Sequence, residues 1–406
     1  MQHKCSKTIW MSEMAIVVKK FGGTSVGSIE LIRSIAHKIA ITHQEGESLV
    51  LVVSAMAKTT DELMRLAFEI SDHPSRRELD MLLTAGERIS MSLLSLALHN
   101  EGYSSISFTG SQSGILTDAM HGNARITDVN AFRIREELGK GKIVIVAGFQ
   151  GVSPAKEITT LGRGGSDTSA VALASYLKAD KCEIFTDVDG VYTADPRLVA
   201  NARLIPEIDY ELMLALAYSG SKVLHPRAVE FAYKYNIPVE IKSSFSFAPG
   251  TMMRSASNME NRKTFMEDKK ITAIAHKDGL IRYQFNLEPK LIESLKKWNN
   301  EIFRYRFVEG VLELVIESKY ENEIDHLMVS QGFDLYDKSS VWASISLVGL
   351  GINLDPVFLA DLLDLLNEFH IESISHSDKT IDLLINSDNL VECLNLLHKT
   401  YIEESK

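Results

Sequence analysis

Ala15-Ile16-Val17-Val18-Lys19-Lys20-Phe21-Gly22-Gly23-Thr24-Ser25-Val26-Gly27-Ser28 is the stretch on which the reading of this chain turns. A short β-branched run without polar alternation is the pattern of a strand buried on both faces. Two glycines follow, and Ser28 then stands ahead of a helical pattern reaching Ile41, so a strand leads through a tight turn into a helix start. Glycine lets the main chain approach a ligand closely, and a helix N-terminus offers unbonded N–H groups to an anion. Lys20 stands beside the glycines and can neutralise a phosphate. Because the lysine precedes the glycines, this is not a Walker A loop. A glycine turn without a ligand is the plain alternative, so the rest of the chain has to decide.

Strand and helix patterns alternate over the first 250 residues. Leu49–Val53, Ile143–Ala147 and Glu183–Thr186 read as further strands, and Leu79, Leu82, Leu83, Gly86, Ile89, Leu93 and Leu94 recur at helical spacing. Helices are also expected over Ser166–Leu177 and Ser219–Tyr235. This alternation predicts an α/β domain, a three-layer αβα sandwich around a mainly parallel sheet.

Leu161-Gly162-Arg163-Gly164-Gly165-Ser166-Asp167-Thr168-Ser169 repeats the glycine-rich helix start. Ser166 or Asp167 could serve as a simple N-cap, but three glycines and an arginine exceed what capping requires. A fixed cation beside exposed N–H groups suits a carboxylate or a phosphoryl oxygen. The stretch from Thr186 to Arg197 leaves a strand and turns sharply; its Asp-x-Asp-Gly start lacks the ligand spacing and closing Glu of a calcium loop. Tyr192 could cover a nucleotide and Arg197 meet its phosphates. Ser219–Pro226 brings Lys222 to another helix start, where His225 reads as structural rather than catalytic.

Near Pro249-Gly250 the texture changes. Residues 251–270 are polar, Met-rich and aperiodic, which reads as a linker. A weak repeat follows. In the first copy, strand-like Ile281–Asn286, Ile302–Val308 and Val311–Ile316 frame helices at Leu291–Leu295 and near Tyr320–Val329. In the second, Ala343–Val348, Ile371–Ser375 and Ile381–Ile385 frame helices at Leu359–Leu366 and from Asn389 to about Tyr401. Pro289 and Pro356, each behind an acidic residue, open matching helices 67 residues apart. The pattern predicts two ferredoxin-like βαββαβ repeats, which commonly bind a small effector or form an interface. The expected boundaries are an extension at 1–13, a catalytic domain at 14–255, a linker at 256–270, and repeats at 271–338 and 339–406.

Composition narrows the function classes. The chain has 406 residues, 45% hydrophobic and 24% charged, enough for two or three domains with real cores. A formal net charge of -11 argues against non-specific binding to nucleic acid or an anionic membrane. Cys5, Cys182 and Cys393 are far apart and in no metal-ligand spacing, so reduced thiols in a cytoplasmic protein and no resident metal are expected. No uninterrupted apolar run approaches the ~18 residues of a membrane span, and residues 1–14 lack a secretory pattern.

Five motifs now stand in order: Lys-Phe-Gly-Gly-Thr-Ser-Val, Thr-Ala-Gly-Glu-Arg, Leu-Gly-Arg-Gly-Gly-Ser-Asp-Thr, Thr-Asp-Val-Asp-Gly-Val-Tyr-Thr-Ala-Asp-Pro-Arg and Lys-Val-Leu-His-Pro. From residue 15 to about 255 the chain closely resembles the aspartate kinases. Its C-terminal repeat resembles the paired ACT domains of that family, the first copy less well. The resemblance implies the amino-acid-kinase fold and transfer of the ATP γ-phosphoryl group, with Mg2+ carried on the nucleotide, to the β-carboxylate of L-aspartate. It implies that Lys20, Phe21, Gly22 and Gly23 hold ATP phosphates, and that Thr186, Asp187, Tyr192, Arg197, Lys222 and Val223 line the nucleotide site. Thr60, Glu87, Arg163 and Ser166 would contact aspartate, with Glu87 accepting from its ammonium group and Arg163 clamping a carboxylate. Asp167 would position Lys20 or the magnesium.

ACT pairs in that family bind lysine, threonine or both, usually across a dimer, which implies a homodimer or higher homo-oligomer. Only the second copy carries glycines before its helix, so Gly349, Gly351, Asn353 and Asp355 are the expected effector contacts. Another amino-acid or carbamate kinase, and a catalytically dead effector sensor, are the rival readings. A fused homoserine dehydrogenase is excluded by length.

Overall fold

The computed structural model describes residues 15–43, 47–259, 270–295, 302–333, 335–352 and 356–404. The expected extension at 1–13 and most of the expected linker, 260–269, lie outside them. The chain divides into two compact units. The first comprises Met1–Val191, Leu204–Leu214 and Val223–Arg262; the second comprises Tyr192–Arg203, Ala215–Lys222 and Lys263–Lys406.

In the first unit β1 (Ala15–Phe21), β2 (Glu47–Val53), β3 (Ser105–Phe108) and β6 (Ile143–Ala147) join β9 (Lys181–Thr186), β10 (Glu207–Asp209), β11 (Val239–Ser243) and β12 (Thr251–Arg254) in one sheet. Its order is β10-β12-β11-β9-β1-β2-β6-β3. A four-stranded satellite sheet holds β4 (Ile115–Thr117), β5 (Ile126–Val129), β7 (Gln150–Val152) and β8 (Ile158–Thr160). The helices are α1 (Ile29–Thr42), α2 (Thr59–Ile70), α3 (Arg76–Leu83), α4 (Ala85–Asn100), α5 (Phe132–Leu138) and α6 (Gly165–Leu177). Two more follow, α7 (Tyr210–Tyr218), which runs from the first unit into the second, and α8 (Pro226–Tyr235).

The four strands legible in the sequence are four consecutive interior ones, β9-β1-β2-β6, and all pair in parallel. Alternate residues of a strand face opposite sides. Val17, Phe21, Leu49, Leu51 and Val53 pack with Ile32, Ile35 and Ile39 of α1 and Leu94 and Leu98 of α4. The intervening Val18, Val50 and Val52 are equally buried, and α6 packs against β1, β2 and β9. Helices on both faces make the three-layer αβα sandwich. Parallel strands also end on one edge, so the loops after Phe21, Val53, Ala147 and Thr186 line up along it. That edge is where ligands bind in open α/β sheets.

Two sequence readings are corrected here. The helix expected over Ser219–Tyr235 is absent before Pro226: His225 is extended (φ -72, ψ 139) and caps α8, with Pro226 in its first turn. Proline disfavours the helical conformation in the residue before it, and here His225 is extended, so the helix begins only at Pro226. Thr251–Arg254, at the head of the aperiodic stretch that read as a linker but on the catalytic side of the boundary expected at 255/256, is strand β12 between β10 and β11. Thr251 is fully buried, and its hydroxyl accepts from Val191 N at 2.8 Å and donates to Ile205 O at 2.6 Å. The stretch Arg76–Asn100 is long and apolar enough to cross a membrane by length and composition, but half of its most apolar window is buried inside the protein. It is α3 and α4, joined at Thr84.

The second unit holds β13 (Lys270–Asn286), α9 (Pro289–Leu295), β14 (Ile302–Val308), β15 (Val311–Glu317), α10 (Glu321–Gln331) and β16 (Leu335–Leu350). After these come α11 (Pro356–Leu365), β17 (Ile371–His376), β18 (Thr380–Asn386) and α12 (Leu390–His398). The sheet order is β14-β15-β13-β16-β18-β17, antiparallel throughout. Two ferredoxin-like copies share the two long strands. The first copy uses Leu280–Asn286 of β13, whereas Lys270–Lys277 pairs with Ser344–Leu350 and supplies the second copy's fourth strand. The boundary expected at 338/339 falls inside β16. Each copy keeps its own apolar core, one around Tyr283, Phe285 and Leu291, the other around Ile345, Leu362 and Leu394.

Candidate active site

Lys20 is the penultimate residue of β1, and only 8% of its surface is exposed. Its Nζ lies 2.6 Å from Oδ1 of Asp167, in the first turn of α6. The first and second glycine-rich motifs therefore meet in a buried ion pair. A Cβ on Gly22 would lie 3.5 Å from Lys20 Nζ, and one on Gly23 would lie 2.9 Å from Ala55 O. Glycine at 23 is thus demanded by the approach of the loop after β2, which also bonds back through Ala57 N to Gly23 O at 3.0 Å.

The second loop is shaped by backbone that ordinary residues avoid. Gly162 (φ 73) and Gly164 (φ 64) are left-handed, and a Cβ on Gly164 would lie 2.2 Å from that of His225. Burial, then the neighbouring Arg227 charge, holds the His225 imidazole below its ordinary pKa. Neutral, it accepts from Arg227 N and supports the loop, as its reading as structural requires. Ser166 packs tightly against Gly148, where a Cβ would come within 2.9 Å of its side chain. Arg163 is exposed and makes no hydrogen bond or ion pair among the described residues.

Glu87 faces the same space from α4. It is 3% exposed, and its Oε1 accepts from Ala55 N at 3.1 Å. Its Oε2 is buried without a partner. Burial pushes its pKa up to about 7, against backbone hydrogen bonds from Glu87 itself and Ala55 that lower it. Lys20, Thr60, Glu87, Ser166 and Asp167 all line one cleft of about 280 Å³, suited to a small ligand. A cleft of about 320 Å³ between α1 and α4, bordered by Ile29, Arg33, Leu96 and Glu101, holds none of the candidate residues.

The remaining candidates are placed differently. The Phe21 ring is core, stacked 4.7 Å from Phe185. Thr186 Oγ1 donates to Asp187 at 3.1 Å, and Thr186 O accepts from Ser244 N at 2.9 Å, tying the ends of β9 and β11 together. Val223 belongs to the first unit; Tyr192, Arg197 and Lys222 belong to the second. Arg197 bonds Asp195 with both Nε (2.9 Å) and a terminal nitrogen (2.6 Å). In the second repeat Gly349 N donates to Lys379 O at 3.0 Å, and Gly351 is left-handed at φ 70. Asn353 and Asp355 lie outside the described residues.

Ser54, Ala55, Ala57 and Phe149 line the cleft although no motif marked them. The available signal was their position directly after buried parallel strands. Asp80 was also missed: wholly buried on α3, it accepts from His121 (2.6 Å), Thr160 (2.5 Å) and Gly122 N (3.1 Å). An acidic residue among leucines at helical spacing gives no sign of this.

A buried lysine–carboxylate pair between two glycine-rich helix starts, at the carboxyl edge of a parallel sheet, defines an α/β phosphotransferase. Residues 15–243 match the amino acid kinase family. The chain is 43% identical to the aspartokinase of Geobacillus stearothermophilus, over 96% of its own length and 97% of that protein's. It is 41% identical to aspartokinase 2 of Bacillus subtilis strain 168, over 96% and 98%. Among solved structures it is similar to the aspartate kinase from Synechocystis, with 36% identity and a TM-score of 0.55 over 95% of this chain and 69% of that one. It shares the fold of E. coli aspartokinase III in complex with aspartate and ADP, with a TM-score of 0.80 at 23% identity over 96% and 100%. The chain belongs to the amino acid kinase family and, within it, to the aspartokinases.

Proposed function

We propose that this protein transfers the γ-phosphoryl group of ATP to the β-carboxylate of L-aspartate, giving 4-phospho-L-aspartate and ADP. This is the first step of the aspartate route to lysine, threonine and methionine. The observation that carries the reading is the convergence of Lys20, Asp167 and the unpartnered Glu87 Oε2 on one cleft. The near full-length likeness to aspartokinases supports it.

The roles follow from charge. An amino-acid ammonium supplies the donor that Glu87 Oε2 lacks, and Thr60 and Ser166 add hydroxyls to the same wall. Arg163, without a partner of its own, meets a substrate carboxylate. The acceptor carboxylate has a reference pKa near ~3.9 and is ionised at neutral pH, so no general base is required. No histidine lines the cleft. Lys20, with Gly22 and Gly23 beside it, neutralises charge gathering on the transferred phosphoryl, while Asp167 holds the ammonium group of Lys20 in place. Within the first unit, Thr186, Asp187 and Val223 take the nucleotide.

Magnesium arrives with the nucleotide as part of the substrate. Among the described residues no group of three or more His, Cys, Asp or Glu could hold a resident ion. The part that matches the amino acid kinase family carries the catalysis, and the two βαββαβ copies that share β13 and β16 are the regulatory repeats. These repeats bind lysine, threonine or both, join the chain into a homo-oligomer, and serve a cytoplasmic enzyme. The test couples ADP release to acyl-hydroxamate formation, with aspartate, glutamate, N-acetylglutamate and carbamate as acceptors. Aspartate is expected to be preferred by far; a faster reaction with another acceptor would overturn the proposal.

A further inference from the structure

The Leu161–Asp167 loop is held by side chains that do not line the cleft. Arg227, in the first turn of α8, donates through one terminal nitrogen to Leu161 O and, at 3.3 Å, to Asn123 Oδ1. Its other terminal nitrogen donates to Ala124 O at 2.8 Å. Ala124 N in turn donates to Thr160 O at 2.8 Å, and Leu161 N to Phe149 O at 2.8 Å. Asn123 also abuts the loop directly, since a Cβ on Gly162 would lie 3.0 Å from its Oδ1. One guanidinium thus ties two chain segments together two residues before Arg163. Arg227 makes no ion pair among the described residues, so all the hydrogen bonds of this partly buried cation go to neutral oxygens, with the Glu230 and Asp118 carboxylates acting only through space. Such a group is retained at a desolvation cost, and its fork geometry is what a lysine cannot reproduce.

We propose that Arg227 is a positioning residue for the acceptor half of the site, fixing the Gly162–Asp167 loop so that Arg163 meets the substrate carboxylate. This rests on the reading of that loop as the place where aspartate binds. It also gives a task to the His-Pro-Arg segment, where His225 packs on Gly164 and Arg227 ties Leu161.

The test compares full-length Arg227→Lys and Arg227→Gln with wild type in steady-state kinetics and in hydrogen–deuterium exchange. Both variants should raise KM for aspartate by about 10-fold or more, the usual effect of losing charge-assisted hydrogen bonds. KM for ATP should change far less than KM for aspartate, because Arg227 makes no hydrogen bond to the 20–27 loop, while kcat should fall through Asp167, which sits in the loosened loop and pairs with Lys20. Exchange should quicken by about 10-fold over 161–169 and not over 20–27. If either variant fails to fold, Asn123→Ala, which removes one acceptor of the fork, should give the same pattern at smaller amplitude. A wild-type KM for aspartate in Arg227→Lys overturns the proposal, whatever the exchange. So does an equal rise in both KM values with faster exchange throughout. Failure of the wild-type protein to phosphorylate aspartate would refute the proposed activity instead, leaving the 161–169 exchange comparison to decide what Arg227 holds.

Discussion

Glu87→Gln isolates the interaction that most constrains the substrate. In the ligand-free protein burial raises the Glu87 pKa from 4.5 to about 7. That difference corresponds to about 3 kcal/mol disfavouring the ionised side chain in the folded state. Between those two values the folded chain binds more protons than the unfolded one, so the wild type loses stability as pH rises from 4.5 to about 7. Glutamine does not titrate. The variant should therefore be the more stable protein above pH 7, by up to about 3 kcal/mol, with the gap closing as pH falls. Denaturant melts at pH 5 and pH 8 measure this.

Binding of an ammonium group reverses the preference, because a cation beside Oε2 favours the carboxylate. Wild-type KM for aspartate should accordingly rise toward about tenfold per pH unit below 7, and at pH 7 aspartate binding should release about half a proton. Calorimetry in buffers of different ionisation enthalpy detects that release. The glutamine variant should release none and should show KM for aspartate raised about 10- to 100-fold, with KM for ATP nearly unchanged. A variant with wild-type KM for aspartate would refute the assignment of Glu87 to the ammonium group, and so would binding without proton release in the wild type.

Lys20→Ala or Asp167→Ala should lower kcat at least about 100-fold with folding intact, as loss of a charge partner in the transition state requires; rapid-quench turnover near wild type would remove that residue from the mechanism. Arg163→Ala should raise KM for aspartate alone, and a loss of ATP affinity instead would move the residue to the nucleotide side. Gly351→Val places a β-branched residue at φ 70 in the second repeat and should abolish calorimetric binding of lysine or threonine. Binding that survives this change but is lost on altering Asn286 would put the effector on the first copy.

The central sheet was legible because parallel strands buried on both faces must be continuous β-branched runs, and β9, β1, β2 and β6 are such runs. The strands that went unread are short or lie at the margins: β10 and the satellite β4, β7 and β8 have three residues each, too few for any periodicity to emerge. Lys20, Arg163 and Asp167 stood out because glycine-rich helix starts with adjacent charges have few other uses, whereas Glu87 came only from the resemblance to the aspartate kinases; Lys20, Asp167 and Glu87 do line one cleft. Sequence patterns carry local conformation and burial, and these are set within a few residues.

What the tertiary structure alone decided is how distant segments satisfy one another. Glu87 has a free oxygen only because Ala55 takes the other, and its raised pKa comes from burial by residues far along the chain. Asp80 and Arg227 hold loops 40 or more positions away, with no periodic or motif signature. Lys270–Lys277 completes the second repeat from in front of the first, because β-pairing depends on register between strands and not on their order in the chain.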